Sequence, residues 1–533
     1  MTRMTGGRTL VEMLRRHGVD TIFALPGVQN DALFVAFYDA GEELRVIHTR
    51  HEQGSAYMAY GYARSSGNVG AYAVVPGPGL LNTTAALATA YATNTAVLCI
   101  SGQIPSELIG RGFGPLHEIP DQLGILRTLT KWAARISHAT ETGQLVNEAF
   151  RQLRDGRPRP VALEMPLDVM ALETEVALPA AGDSRSITMP DSELVDKAAA
   201  LLADAKKPLI FVGGGAVAAA EEVLAIAEML QAPVVSYTGG KGIVSDRHYL
   251  AQSALAGHEL WREADVVLAV GTRLHQPQVR WGVDADLKLI RIDIDPTELT
   301  SMYPAAVPIQ SDARAAMLAL SSALASRKPT SQRSQGESRV REILARNAAQ
   351  MTDLEKLHER VWKVLRSAVP ADTIVMGDAT QIVYTGSFAM PMEAERCWYY
   401  SGNYCALGFA LPMAVGAKIG TPHRPVIAVA GDGGVMFTVN ELATAAEERI
   451  ALPVIVWNND ALKAIADGMD ERRIPRIGVE PKSPDFMALA DSLGGRGARA
   501  ESAQHLAQCV REALVADRPT LIEVREDSPW LKG

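Results

Sequence analysis

Two short stretches near the C-terminal end bring together residue types that could hold a hard cation and a phosphate. GDGG at 431–434 follows the apolar run PVIAVA, and NN at 458–459 closes the next apolar run, LPVIVW. A glycine turn after a strand presents outward-facing backbone N–H groups to a phosphate. Asp432 in that turn and Asn459 on the same sheet edge supply side-chain oxygens. With one backbone carbonyl they suit Mg²⁺, which keeps water and ligand phosphates in its shell. Glu52 is a second candidate, a carboxyl in the alanine-, glycine- and tyrosine-rich segment TRHEQGSAYMAYGYARSSG. Burial there would let it share a proton. His117, in GRGFGPLHEIPDQ (110–122), is a third, because an imidazole can give or take a proton.

Strands must carry these groups. Short runs rich in Val, Ile and Ala recur along the chain, among them VDTIFALPG, AVLCISG, PLIFVGGG, DVVLAVGT and LIRIDID. Such runs suit buried parallel strands with helical segments covering both faces. The predicted fold class is α/β, with three doubly wound parallel-sheet domains. Polar joints at 174–192 and 327–338 divide the chain into segments 1–175, 190–325 and 355–533, as expected when 533 residues exceed one core. The 47% hydrophobic and 21% charged composition is that of a soluble globular protein. A net charge of -9, spread along the chain, gives no footprint for nucleic acid or an anionic membrane. No run reaches the ~20 apolar residues that span a bilayer. The N-terminus lacks an apolar signal core and reads as an early helix. Four scattered cysteines without metal or redox spacing point to a reducing, cytoplasmic setting.

The GDG turn with an NN pair 27 positions beyond its aspartate resembles the thiamine diphosphate motif. The segment around Glu52, VPGPGLLN (75–82), ALPGV (24–28), IDIDPTEL (292–299) and YYSGNYCALGFALPMAVGAKIG (399–420) are similar, in order, to segments of the acetolactate synthase and benzoylformate decarboxylase superfamily. That resemblance implies a pyrimidine-binding domain (1–175), a central Rossmann-like domain (190–325) and a diphosphate-binding domain (355–533). It implies that Glu52 hydrogen-bonds N1′ of the aminopyrimidine and so promotes loss of the thiazolium C2 proton. Leu407 would prop the coenzyme into its bent shape, a proximity effect. The Cys405 carbonyl would hold the coenzyme's pyrimidine edge, Gly433 and Gly434 its diphosphate, and Asn82 is expected among the coenzyme-binding residues. Asp432, Asn459 and the main-chain oxygen of Ala461 would bind Mg²⁺. Because the family builds each site between two subunits, a homodimer is the expected minimum and a homotetramer the expected assembly.

The substrate region departs from the family pattern. Val28, Val75 and Ile465 stand where some decarboxylases place polar groups. The flavin-contacting stretch of acetolactate synthases has no clear match in GTRLHQPQVRWGV (271–283), so FAD is compatible with the resemblance but not predicted. The long 110–122 loop would carry His117 into the substrate cavity, which Gln29 would line. Lys463 would either offer a cation to a carboxylate or face solvent. LHExxDQ here, with WNNDALKAIADGM and PDFMALA, also resembles decarboxylases of longer 2-oxo acids such as guanidino-oxopentanoate enzymes. The expectation is a lyase or transferase that needs thiamine diphosphate and Mg²⁺, a 2-oxo acid decarboxylase or carboligase. Acetolactate synthase proper is the alternative, and a catalytically silent coenzyme-binding protein is the non-enzyme rival. An NAD-dependent dehydrogenase would need a GxGxxG turn with an acidic residue ~20 positions on, and no convincing one is found.

Overall fold

The computed structural model describes residues 2–182, 186–327, 336–400, 402 and 404–532. Three six-stranded sheets carry the chain. The first extends from the strand Thr21–Ala24 to Val161–Pro166, the central one from Pro208–Val212 to Val307–Gln310, and the third from Ile374–Gly377 to Thr520–Arg525. Neighbouring strands in all three are parallel, and helices connect them, so the α/β doubly wound class holds. The strands Gly70–Val74, Val97–Gln103 and Val161–Pro166 are buried at every residue, which is why they read as unbroken apolar runs rather than alternating ones.

Numbered by chain order within each sheet, the strands run 2-1-3-4-6-5 in the first and third sheets alike. In the central sheet they run 3-2-1-4-5-6, the order of dinucleotide-binding folds. The crevice of the central sheet, between its first and fourth strands, is closed by backbone: the Gly215 amide donates to the Gly271 carbonyl at 3.1 Å. A Cβ on Gly271, whose φ is +54°, would stand 2.4 Å from the Gly215 carbonyl carbon.

The first and third segments pack against each other through two helices made of small residues, Glu52–Ser66 and Ala410–Gly420. Tyr57, Met58, Phe409 and Met413 share one core across that seam. A Cβ on Gly61 would lie 2.0 Å from the Met413 carbonyl oxygen, and one on Gly416 would lie 1.9 Å from that of Met58. Two helices meet at this distance only when glycine faces the neighbouring backbone. Gly61→Val is therefore expected to destabilise the protein by about 3 kcal/mol, as overpacking does where the neighbour is backbone. Scanning calorimetry would register a lower midpoint. An unchanged midpoint would mean the helices separate freely.

Two sequence expectations need revision. The linker expected at 327–338 lies outside the described residues from 328 to 335, and from Gly336 the chain is already helical, to Gln350. This helix is polar because it buries little more than Val340 and Ile343, the latter against the central segment's core. The joint at 174–192 begins as a strand, since Glu173–Val176 pairs antiparallel with Thr2–Thr5. Residues 183–185 of that joint lie outside the described residues.

Candidate active site

Asp432 ends the buried strand Val426–Gly431 and opens a single helical turn, Asp432–Val435. The helix read from the sequence is thus split, its second part running Glu441–Glu447. Thr438 lies in the break, where its hydroxyl donates to the Gly408 carbonyl at 2.6 Å. Asn458 ends the neighbouring strand Pro453–Asn458, which pairs Gly431 with Trp457. Asp432 and Asn459 thereby reach the same carboxyl-terminal sheet edge, where α/β sheets place ligands.

A cavity of about 220 Å³ opens at this edge, and Asp432, Gly433, Gly434, Asn459, Ala461, Cys405 and Leu407 line it together. Seven residues singled out in the sequence are therefore brought to one place. Asp432 is almost wholly buried, and burial raises its carboxyl above the usual carboxylate range, although the Ser483 hydroxyl donates to Oδ2 at 3.0 Å. Asn459 Nδ2 donates to Glu526 Oε2 at 3.0 Å, while Asn459 Oδ1 is buried without a partner. A buried carboxylate beside an orphaned amide oxygen is an arrangement that a cation completes. Among the described residues no three His, Cys, Asp or Glu side chains gather as a metal cluster. The donor set here is instead one carboxylate, one carboxamide and main-chain oxygen, which suits a hard ion rather than zinc.

Asp378, which the sequence reading missed, organises this cavity. Fully buried at the end of the strand Ile374–Gly377, it accepts from the Gly408 amide at 2.9 Å and the Ala379 amide at 2.7 Å. A Cβ on Gly434 would lie 3.3 Å from its Oδ2, so one carboxyl ties the Leu407–Gly408 turn beneath the glycine turn. Burial pushes Asp378 up to about 7 despite these bonds. The unfolded chain ionises this group near pH 4 while the folded chain keeps it protonated, so its contribution to stability is full below pH 4 and lost as pH rises to about 7. Asp378→Asn in ligand-free protein should remove that loss, on the order of 4 kcal/mol between the two limits. Denaturant titrations from pH 4 to 8 check it; parallel curves for the two proteins would show that Asp378 does not titrate in this range.

The other candidates gather on the first sheet. Glu52 is the first residue of the helix Glu52–Ser66 and is half-buried. Asn82 Nδ2 donates to Glu52 Oε2 at 3.0 Å, which joins two predicted residues directly. His117 adopts a φ of +71°, and its carbonyl packs on Gly77, where a Cβ would come within 2.5 Å. Its Nδ1 is buried without a partner. Gln29 reaches the same loop by donating Nε2 to the Leu116 carbonyl at 3.1 Å. Gln122 Oε1 accepts from the Gly77 amide at 3.1 Å, and Gln122 Nε2 donates to Glu164 at 2.9 Å, which is itself held by Arg135 at 2.5 Å. The structure thus groups Glu52, Asn82 and His117 around the Gly77–Gly79 turn. They stand apart from the Asp432 cavity, which among the described residues is lined only from the third segment. Lys463 and Ile465 do line that cavity; Lys463 is paired with Asp467, which also accepts from Gln381 Nε2 at 2.9 Å.

Comparison with known proteins agrees with this geometry. Three family models match in order: the N-terminal TPP binding domain of thiamine pyrophosphate enzymes at residues 4–125, their central domain at 195–320 and their C-terminal TPP binding domain at 378–524. A Pseudomonas aeruginosa protein named "Probable 2-ketoarginine decarboxylase" is 38% identical over 531 residues, covering 98% of this chain and 94% of the relative. An acetolactate synthase of Arthrospira platensis is 31% identical over 566 residues, covering 98% and 94%. A "Probable acetolactate synthase large subunit" of Methanocaldococcus jannaschii is 30% identical over 552 residues, covering 98% and 92%. The two carboxyl-edge clusters, repeated strand order and full-length likeness converge on one assignment: the chain belongs to the thiamine diphosphate-dependent 2-oxo acid decarboxylase and acetolactate synthase-like enzymes.

Proposed function

We propose that this enzyme is a Mg²⁺-dependent decarboxylase of a 2-oxo acid longer than pyruvate, working as a homodimer or a larger assembly of such pairs. The observation that carries the reading is the composition of the Asp432 cavity and its surroundings. Ile465 lines it and Val75 is buried beside Gly27 and Gly79, so no acid or histidine crowds these positions, while the 110–122 loop adds His117 beside the Gly77 turn. The relative named for 2-ketoarginine supports a donor with a long side chain. The acetolactate synthases among the relatives support transfer to a second carbonyl as the alternative outcome.

When bound, thiamine diphosphate supplies a nucleophilic carbon that adds to the 2-oxo carbonyl and accepts the electrons released as CO₂ leaves. Asp432, Asn459 Oδ1 and the Ala461 carbonyl would hold the metal, and the amides of Gly433 and Gly434 would bind the diphosphate. Leu407 would fix the coenzyme's bend. Glu52, with Oε2 held by Asn82, would carry the proton at N1′ of the pyrimidine ring. His117 would pass a proton to or from the substrate carbon, because its buried Nδ1 has no protein partner. Glu52 does not line the Asp432 cavity of its own chain, so the reading requires the first segment of one subunit over the third segment of its partner.

The test is CO₂ release from a panel of 2-oxo acids with short, branched, aromatic and guanidino side chains, with analysis for aldehyde and hydroxyketone products. Turnover of a long-chain acid to its aldehyde supports the reading. Acetolactate from pyruvate as the fastest reaction would replace it with the alternative. Tight coenzyme binding without turnover of any acid would make the protein a binder.

A further inference from the structure

A second cavity lies at the seam between the central and third segments and shares no lining residue with the coenzyme cavity. Its volume is about 400 Å³, and Arg247, Lys363, Arg366 and Ser367 line it with Ala389 and Pro391. Arg247 comes from the loop after the central strand Val234–Ser236, whereas Lys363, Arg366 and Ser367 occupy the last turns of the helix Asp353–Ala368. The i, i+3, i+4 spacing of these three puts them on one helical face.

Three cations converging on one concavity repel one another unless something negative stands among them. Two have carboxylate partners already: Arg247 pairs with Glu393 at 2.7 Å and Lys363 with Glu359 at 2.8 Å. The Arg247 and Lys363 side chains are more than half exposed, so these pairs contribute little and can open. Arg366 differs. Its Nη2 donates to the Val369 and Pro370 carbonyls and so caps the helix end, but its Nη1 is buried without a partner. Burial first, and Arg247 opposite it, hold the Arg366 guanidinium below its usual pKa, while Glu393 acts the other way. A desolvated guanidinium nitrogen with no acceptor is a cost that an anion removes once a small shift of the side chain opens Nη1 to the cavity, and a guanidinium edge is built for two oxygens of one tetrahedral or planar group.

We propose that this seam cavity is a binding site for a small phosphate-type oxyanion, held by Arg366 from the third segment and Arg247 from the central one, with Lys363 at its rim. Three cations against the two carboxylates paired with them leave one positive charge, with Asp372 the last and smallest influence on Arg366, and this suits a single phosphoryl group rather than a polyanion. An anion so placed would bridge the two segments and stabilise their contact by mass action.

Enzyme saturated with thiamine diphosphate and Mg²⁺, so that the diphosphate site is filled, would be titrated calorimetrically with sodium phosphate at constant ionic strength. One saturable site per chain is expected, together with a higher thermal midpoint at saturation. Arg247→Ala and Lys363→Ala should each weaken binding about fivefold or more, consistent with loss of one charge contact. Arg366→Lys, which keeps the charge and can still cap the helix, should weaken it as well by removing the fork. Phosphate-free midpoints and turnover of the Arg247 and Lys363 variants should match the parent, showing that folding is intact. Tighter binding of glycerol 1-phosphate than of phosphate would assign the site to a phosphomonoester, and the reverse order to the free ion. No saturable binding, or binding that all three variants leave unchanged, overturns the proposal.

Discussion

Glu52→Gln is expected to lower the rate of 2-oxo acid decarboxylation by roughly 100- to 10,000-fold while coenzyme affinity stays within a few-fold of the parent. Glutamine keeps the shape of glutamate and its oxygen can still accept from Asn82 Nδ2, the 3.0 Å contact seen here. It cannot carry a transferable proton, so only the step at N1′ should suffer. The site lies at the first residue of a helix, with Oε1 near the Gly79 turn, so the substitution adds no bulk and leaves no cavity. Two measurements separate the effects: coenzyme binding by fluorescence quenching, and hydrogen–deuterium exchange at the thiazolium C2 of bound coenzyme. Slow exchange with normal binding supports the role. Normal turnover would remove Glu52 from the mechanism.

The second large effect is expected at Asp432. Asp432→Ala should weaken Mg²⁺-dependent coenzyme retention at least about 100-fold, because removing even an outer-sphere partner of a metal ligand costs 10- to 100-fold. Equilibrium dialysis with and without Mg²⁺ reads this directly. The coenzyme-free variant should be no less stable than the parent at neutral pH. Burial already raises the Asp432 carboxyl, so its ionised form is a cost to the empty fold rather than a gain. Loss of stability without loss of affinity would place the metal elsewhere and make Asp432 a structural residue.

What could be read from the chain, and what could not, follows a physical divide. Asp432 and Asn459 follow neighbouring buried strands of a parallel sheet, so their spacing carried them to one edge, while Cys405, Leu407 and the glycine roles came from the family resemblance. Glu52 and Asn82 are similarly local, being joined across one strand-and-turn unit. Asp378, Ser483, Glu526 and the Arg135–Glu164–Gln122 relay escaped because each is a single polar residue in an ordinary stretch. They act on a turn or carboxamide far away along the chain, and that relation exists only after folding. Asp378 could have been suspected from GDAT closing the apolar strand DTIVMGDAT, as GDGG closes PVIAVAGDGG. The helix at Gly336–Gln350 was read partly as linker because a helix that buries so little looks like a tether in composition.

The carbonyl-to-glycine contacts between the helices Glu52–Ser66 and Ala410–Gly420 leave no room for the two outer sheets of one chain to rock against each other. A clamshell motion is thereby forbidden to this molecule. Any movement beside the two clusters then falls to the irregular stretch at 110–122 that bears His117 and to the stretch beyond Asn459, where Lys463 lines the cavity.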